Sequence, residues 1–384
     1  MKLRIGILGT RGIPNNYGGF EYFAEHLSQG LARKGYEVYV YCSHNHPNQQ
    51  ACWNGVHIVH CYDPEYLLGT AGQFLYDLNC IRDARKRDYD ILLFLGYTSS
   101  SIWGPFFPAG TTIISNMDGL EWKRSKYSPS VQRFLRYAEK LAIKHSDFFV
   151  ADSTYIQTYL QEKYQVHPVY IAYGATVFNQ PDPAVPSGYG LHSQSYNMLM
   201  ARMEPENNIE MILDGYHTSK SPLDFMVVGN TDNKFGRYLT NKFAHDKRIR
   251  FTGAIFNQQH INNLIYYSNL YFHGHSVGGT NPSLLEAMGS QALIIAQDNV
   301  FNRAVLEENG YYFNTAAEVQ QYADTLSKNA GTQGITFANS LKIEQLYNWN
   351  KIIDAYESFF IRCYQEKKLP LPVTSVLQPT KHPG

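Results

Sequence analysis

The sequence predicts an α/β protein of two Rossmann-like, doubly wound domains, and three observations carry that prediction. Its 384 residues exceed one ordinary core and suit two domains of roughly 150 to 200 residues each. Short continuous apolar runs recur between helix-length segments, the mark of parallel strands covered on both faces. The series breaks once, at FNQPDPAVPSGYG (178–190), a linker rich in proline and glycine.

The first series comprises LRIGILG (3–9), VYVYCS (38–43), VHIVHCY (56–62), ILLFLGY (91–97), TIISNMD (112–118), FFVADS (148–153) and VYIAYG (169–174). The second comprises YNMLMAR (196–202), DFMVVGN (224–230), IRFTG (249–253), LYFHGH (270–275) and ALIIAQ (292–297), each followed by a candidate helix. These define an N-terminal domain over 1–180 and a second domain over 190–345. The end, 367–384, is proline-rich and aperiodic and is expected to be a disordered tail. Between Ser128 and Asp147, Val131, Phe134, Leu135, Ala138, Leu141 and Ala142 fall at helical spacing, with Arg133, Arg136, Lys140 and Lys144 between them. Together with Lys123, Arg124 and Lys126 this is the most basic segment. It reads as a solvated helix face, or as a membrane-surface contact if the substrate is lipid-linked.

Lys+Arg and Asp+Glu are both 33, so no net charge favours a nucleic-acid partner. Five cysteines, without a C-x-x-C pair or a secretory leader, read as reduced thiols of a cytoplasmic protein. No apolar run approaches the roughly 18 residues of a membrane span.

In a doubly wound sheet, ligands lie beyond the carboxyl ends of the strands, where loops and helix N-termini present unpaired N–H groups. The first such place is GTRGIPNNYGGFE (9–21), which carries four glycines but not the G-x-G-x-x-G of a dinucleotide site, and this disfavours an NAD-linked dehydrogenase. Gly18 and Gly19 would let the backbone approach a ligand, a helix beginning near Phe20 would aim its positive end at it, and Arg11 would reach the same space. A turn that needs glycine for its dihedrals alone is an equal reading.

The stronger signal is HGHSVGGTNPSLLEAM (273–288). A strand ends in two histidines, a Gly-Gly turn follows, and Asn281-Pro282 opens a helix. The N–H groups of Ser283 and Leu284, with nearby loop amides, would cradle a diphosphate, and Glu286 would accept hydrogen bonds from ribose hydroxyls or simply complement the helix dipole. His273 and His275 lie two apart, as metal ligands can, but no third ligand accompanies them, and cleft-lining or core histidines fit better. Arg202, at a strand end, would offer a bidentate guanidinium to a diphosphate. Lys234 and Arg237, in VVGNTDNKFGRYL (227–239), are further cations at a strand end or plain surface charges.

GTRGIPNNYGGFE, NMDGLEWKRSKY (116–127), ARMEPENN (201–208), HGHSVGGTNPSLLEAM and YNWNKIIDAYESFF (347–360) resemble the retaining GT-B glycosyltransferases of family GT4, over residues 1 to about 365. More narrowly, they resemble the bacterial rhamnosyltransferases of polysaccharide assembly. The resemblance implies a GT-B fold, in which two Rossmann-like domains face each other across a cleft. The second domain would hold a nucleotide diphosphate sugar, dTDP-rhamnose being the first choice, and the first would hold a saccharide acceptor, lipid-linked in one reading. A last helix over 346–366 would cross back to the first domain on the apolar face of Trp349, Ile352, Ile353, Tyr356 and Phe359. Transfer would retain the anomeric configuration in the cytoplasm, or at the inner membrane surface in the lipid-linked case. No cofactor or divalent metal is implied, because cations and helix dipoles would stabilise the leaving diphosphate.

Three positions depart from the family. Gly278 stands where a first glutamate is common, so His275 or the amides of Gly279, Thr280 and Asn281 would hold the donor sugar. Asn207 stands near a common lysine, which leaves Lys234 or Arg237 to join Arg202. Asp118 replaces a histidine beside the acceptor and would bond an acceptor hydroxyl, act as base, or cap the helix near Gly119. Asp118, Arg202 and Glu286 are therefore the candidate catalytic residues. A degenerate GT-B protein that binds nucleotide sugar without turnover and a GT-B sugar-nucleotide epimerase are the alternatives.

Overall fold

The computed structural model describes residues 2–117, 119–124 and 126–368. The first sheet holds β1 (Arg4–Leu8), β2 (Glu37–Ser43), β3 (Cys52–Trp53), β4 (Val56–Cys61), β5 (Ile91–Leu95), β6 (Thr112–Asn116), β7 (Phe148–Ala151) and β8 (Val169–Tyr170). Its order is β3-β4-β2-β1-β5-β6-β7-β8, parallel throughout except for β3 against β4. The second sheet holds β9 (Tyr196–Met200), β10 (Asp224–Val228), β11 (Ile249–Gly253), β12 (Tyr271–His273), β13 (Ile294–Gln297) and β14 (Tyr311–Phe313). It is parallel throughout, in the order β11-β10-β9-β12-β13-β14.

Helices on both faces explain the continuous apolar runs: every residue of β5 and of β6 is buried. Two strands fall outside the sequence pattern. β3 is a two-residue edge piece with Cys52 exposed, and β14 spans only three residues. Each sheet reverses its winding once, between β1 and β5 and between β9 and β12, and the crevice for a ligand opens beyond those strand ends.

The last helix, Trp349–Lys368, packs on the helix that follows β1, Gly19–Arg33. It buries Trp349, Ile352, Ile353, Tyr356, Phe359, Phe360 and Cys363, which is the expected face extended by one turn. Gly30 allows the close crossing, since a Cβ there would lie 2.2 Å from Ile353 Cδ1. His26 stacks on Trp349 with centroids 4.3 Å apart, and Lys34 pairs with Asp354 at 2.6 Å and Glu357 at 2.7 Å. The expected tail lies outside the described residues except for Lys367 and Lys368, which end this helix.

The helix Pro129–His145 buries Leu135, Ala138 and Ala142, whereas Val131, expected on the same face, is exposed beside Arg133, Arg136, Lys140 and Lys144. The apolar face instead admits Glu139, whose carboxylate accepts the Trp122 indole N–H (3.2 Å), the Tyr159 hydroxyl (2.8 Å) and the Lys163 ammonium (2.8 Å). Among the described residues no helix is long and apolar enough to cross a membrane.

Candidate active site

The first wall of the cleft is the turn after β1. Glu21, in the first turn of the following helix and 3% exposed, accepts the Arg11 N–H (2.8 Å) and the Thr10 hydroxyl (3.3 Å). The carboxylate thus ties the turn to its own helix. Arg11 does not project as an open donor contact: its Nε and Nη2 reach Glu65 at 2.9 and 2.7 Å, and its guanidinium lies 3.8 Å from the Tyr17 ring centre. A partly desolvated guanidinium takes the nearest carboxylate, so Arg11 supports the loop. Gly18 is the N-cap, in extended backbone, and Gly19 faces the second domain, where a Cβ built on it would lie 3.6 Å from Pro282 Cγ.

The facing wall begins where β12 ends. The rings of His273 and His275 stack with centroids 4.5 Å apart. Burial lowers the pKa of His273 to about 3, and burial followed by His273, Arg202 and Arg124 pushes His275 well below the imidazole range. Both rings are therefore neutral. Both nitrogens of His273 and Nδ1 of His275 have no hydrogen-bond partner among the described residues.

Asn281 caps the helix Pro282–Gly289. Its Oδ1 accepts the Ser283 N–H (3.1 Å) and hydroxyl (2.7 Å), and its carbonyl accepts the Leu284 N–H (3.0 Å). The two amides expected to cradle a diphosphate are therefore already bonded, as an N-cap asparagine arranges. The open donors lie earlier: the N–H groups of Gly279, Thr280 and Asn281 have no intramolecular acceptor among the described residues. Within the helix, burial raises the Glu286 carboxyl to about 7, with Gln258 opposing the shift as a donor. Glu286 also raises Tyr22 on the facing helix, so it sits where the two domains meet.

Three contacts hold the cleft closed at this loop. A Cβ on Gly279 would fall 1.8 Å from Asp152 Oδ1, beyond the end of β7, and the Thr280 hydroxyl donates to the Asp152 carbonyl. A Cβ on Gly119 would lie 3.4 Å from Gly278 Cα. Gly278 has φ +125°, a conformation that favours glycine, so a glutamate here would require a different loop. Asp118 lies outside the described residues.

Arg202 is exposed beyond β9, and its charge reaches His275. Its carbonyl accepts Asn207 Nδ2 at 2.7 Å, so the residue near the common lysine position is a buried backbone brace. Lys234 and Arg237 lie exposed on the helix Lys234–Lys242, where Arg237 donates to the Asp232 carbonyl and, among the described residues, neither shows a contact with the cleft group.

Sequence reasoning missed the clamp beside this group. Arg124 pairs with Glu121 at 2.7 Å and, across the cleft, with Glu206 at 3.3 Å, while Lys126 reaches Glu204 at 3.2 Å. It also missed Asn299 and Asn302, whose amides both donate to the His275 carbonyl at 3.0 Å. Their signal is the polar run QDNVFN after β13, in which Asn299 caps the next helix.

Residues 2–176 match a family described as a domain of unknown function, DUF1972. No curated protein matches the chain in sequence. Among solved structures it is similar to sucrose-phosphate synthase from Thermosynechococcus elongatus, with a TM-score of 0.75 and 17% identity over 94% of this chain and 99% of that one. It is also similar to HepE from Anabaena, solved with UDP and glucose, with a TM-score of 0.72 and 13% identity over 94% and 100%. α,α-Trehalose 6-phosphate synthase from Burkholderia multivorans gives a TM-score of 0.71 and 10% identity over 97% and 99%. At these identities the likeness is one of fold: two parallel-sheet domains in the GT-B arrangement.

Proposed function

We propose that the chain is a retaining GT-B glycosyltransferase of the GT4 kind, moving a sugar from a nucleotide diphosphate donor to a saccharide acceptor. The observation that carries this reading is the meeting, at the two winding reversals, of Gly19 with the start of the Pro282–Gly289 helix. Open loop amides, Arg202 and Glu286 gather at the same place. The solved neighbour HepE was crystallised with UDP and glucose, which supports a nucleotide-sugar ligand for this fold.

In this reading the amides of Gly279, Thr280 and Asn281 and the Arg202 guanidinium stabilise the charge that develops on the departing diphosphate. No divalent metal is required, and dialysis against a chelator is expected to leave transfer unchanged. Glu286, when ionised, accepts hydrogen bonds from ribose hydroxyls. His275 Nδ1 accepts one from the donor sugar, the part that Gly278 cannot play. Asp118 bonds or deprotonates the acceptor hydroxyl.

The donor we favour is dTDP-rhamnose, within bacterial surface polysaccharide assembly. The exposed Arg133, Arg136, Lys140 and Lys144, with Val131 and Tyr137 between them, suit contact with an anionic inner membrane surface carrying a lipid-linked acceptor. A thermal-shift panel of nucleotide sugars, followed by transfer or donor hydrolysis assays, tests the reading. A selective response to dTDP-rhamnose supports it, and a response to UDP- or GDP-sugars overturns the sugar assignment. Binding without turnover leaves a nucleotide-sugar-binding protein, the alternative that Gly278 and Asn207 favour.

A further inference from the structure

Away from the cleft, the second domain carries a cavity of about 490 Å³ at the amino ends of β9, β10 and β12, the opposite edge of the sheet from the amides and carboxyl described above. Its walls are the loop 220–223, which leads into β10, and the segment 326–329, which follows the helix Ala316–Thr325. Both walls are held by the protein's own bonds: the Lys220 N–H reaches Asp324 Oδ1 at 2.7 Å, the Lys328 N–H reaches Asn269 Oδ1 at 3.0 Å, and Asn329 Oδ1 accepts the Gly331 N–H at 2.8 Å. Lys328 is half-buried. Its Nζ donates to the Tyr266 carbonyl at 2.6 Å, in the last turn of the helix Gln258–Tyr267, and lies 5.1 Å from the Tyr266 ring centre. An ammonium carries three donors, and the other two have no acceptor among the described residues. Burial lowers this ammonium to about 8, and no carboxylate pairs with it to oppose the fall. Lys220, on the same cavity, also has no ion pair among the described residues, and Asp324 is the one carboxylate of the lining.

We propose that this cavity is a second ligand site, taking a small anionic polyol, a sugar phosphate or a sugar acid, with its charged group held by Lys328 and Lys220. An ammonium partly removed from water and left without a counter-ion is costly, and a bound anion supplies the missing partner. Closing off the end of the Gln258–Tyr267 helix accounts for one of its donors and for the dipole, but not for the space that opens beside it. The volume lies within the range of about 300–1,000 Å³ usual for small-molecule sites and exceeds the need of a bare ion. Gln194, Ser221 and Asn329 offer polar groups to hydroxyls, while Pro222 and Leu326 offer apolar surface to the C–H face of a sugar ring. The site stands apart from the cleft and does not depend on the reading given for it.

The test is calorimetric titration of the full chain, as wild type, Lys328→Met, Lys220→Gln and Arg202→Ala, with glucose 6-phosphate, glucuronate, glucose and inorganic phosphate. The wild type should bind glucose 6-phosphate or glucuronate more tightly than either glucose or phosphate, and the tighter of the two names the anionic group. Lys328→Met should weaken that ligand about tenfold and Lys220→Gln about threefold, because each removes a charge-assisted contact, while Arg202→Ala should leave it unchanged. The titratable and charged groups around Lys328 are Lys220, Asp324 and Tyr266. At pH 8 the free Lys328 ammonium is about half protonated, and an anion draws it to full charge. Binding by the wild type should therefore take up about half a proton, read from the enthalpy in buffers of different ionisation heat, and Lys328→Met should abolish the uptake. No binding of any probe overturns the proposal and leaves Lys328 as a helix cap. Phosphate bound as tightly as glucose 6-phosphate overturns it too, since the cavity then contributes nothing, as does a ligand lost in Arg202→Ala and kept in Lys328→Met, which lies in the cleft. If Lys328→Met does not fold, Lys220→Gln and the wild-type uptake decide: an unchanged affinity with no proton taken up overturns the proposal.

Discussion

The turn after β1 and the turn after β12 have the same build, a buried strand running through a glycine-rich turn into a helix, yet their polar groups end differently. In the first, Glu21 absorbs the Arg11 amide and the Thr10 hydroxyl, and Glu65 absorbs the Arg11 side chain. In the second, three successive amides and one imidazole nitrogen have no internal partner among the described residues, and the carboxyl of Glu286, raised by burial, takes a hydrogen bond from Gln258. Buried polar groups that a fold leaves open are costly, and they persist where a ligand completes them. In the function proposed above, the first turn is a wall and the second a receiver.

The largest effect should come from Gly279→Ala, whose Cβ would occupy the Asp152 Oδ1 position. Transfer should fall roughly a thousandfold with the far-ultraviolet spectrum unchanged, since closure completes the site. Gly18→Ala in the first turn has its nearest contact at 3.4 Å and should stay within about threefold in kcat/KM, because its extended backbone accepts a side chain. Equal losses would erase the contrast. Next, Arg202→Ala should lower kcat about a hundredfold, whereas Arg11→Ala should cost about 1 kcal/mol of stability and little activity. A reversal of these two would make the first turn the receiver.

Glu286 gives a smaller and more diagnostic effect. Burial raises its carboxyl to about 7, so it ionises as pH rises through that value, and an ionised carboxylate is the better acceptor for ribose hydroxyls. Donor affinity should therefore rise between pH 6 and 8 in the wild type. Glu286→Gln should bind the donor roughly tenfold more weakly and lose that slope. Calorimetric titration at the two pH values checks it. Smallest for catalysis is Gly30→Ala, far from both turns, where a Cβ 2.2 Å from Ile353 should cost about 1–3 kcal/mol in denaturant unfolding and leave KM unchanged.

The fold was legible because a parallel sheet buried on both faces writes continuous apolar runs, and the crossover helix writes a period of 3.6 from Trp349 to Phe359. β3 and β14 were not legible, because two or three residues carry no period. Arg202, His275 and Glu286 stood out by following strands or opening a helix. Arg124 and Glu206 did not, since their pairing spans 82 positions and depends on how two domains meet. That the Ser283 and Leu284 amides are taken by Asn281 was not legible, because the sequence marks Asn281 as the start of a helix and does not show which N–H groups it accepts.

The polypeptide passes between its halves twice at nearly one spot. Ala175 on the outward pass bridges Asn348 on the return and donates its N–H to the Tyr347 carbonyl at 2.7 Å, while Trp349 begins the helix anchored on the first domain. Two leaves joined by a doubled strap can swing but cannot drift apart or twist freely. Nicked anywhere in the 178–190 connector, the molecule would remain a single particle, its C-terminal fragment plugged into its N-terminal one by that helix.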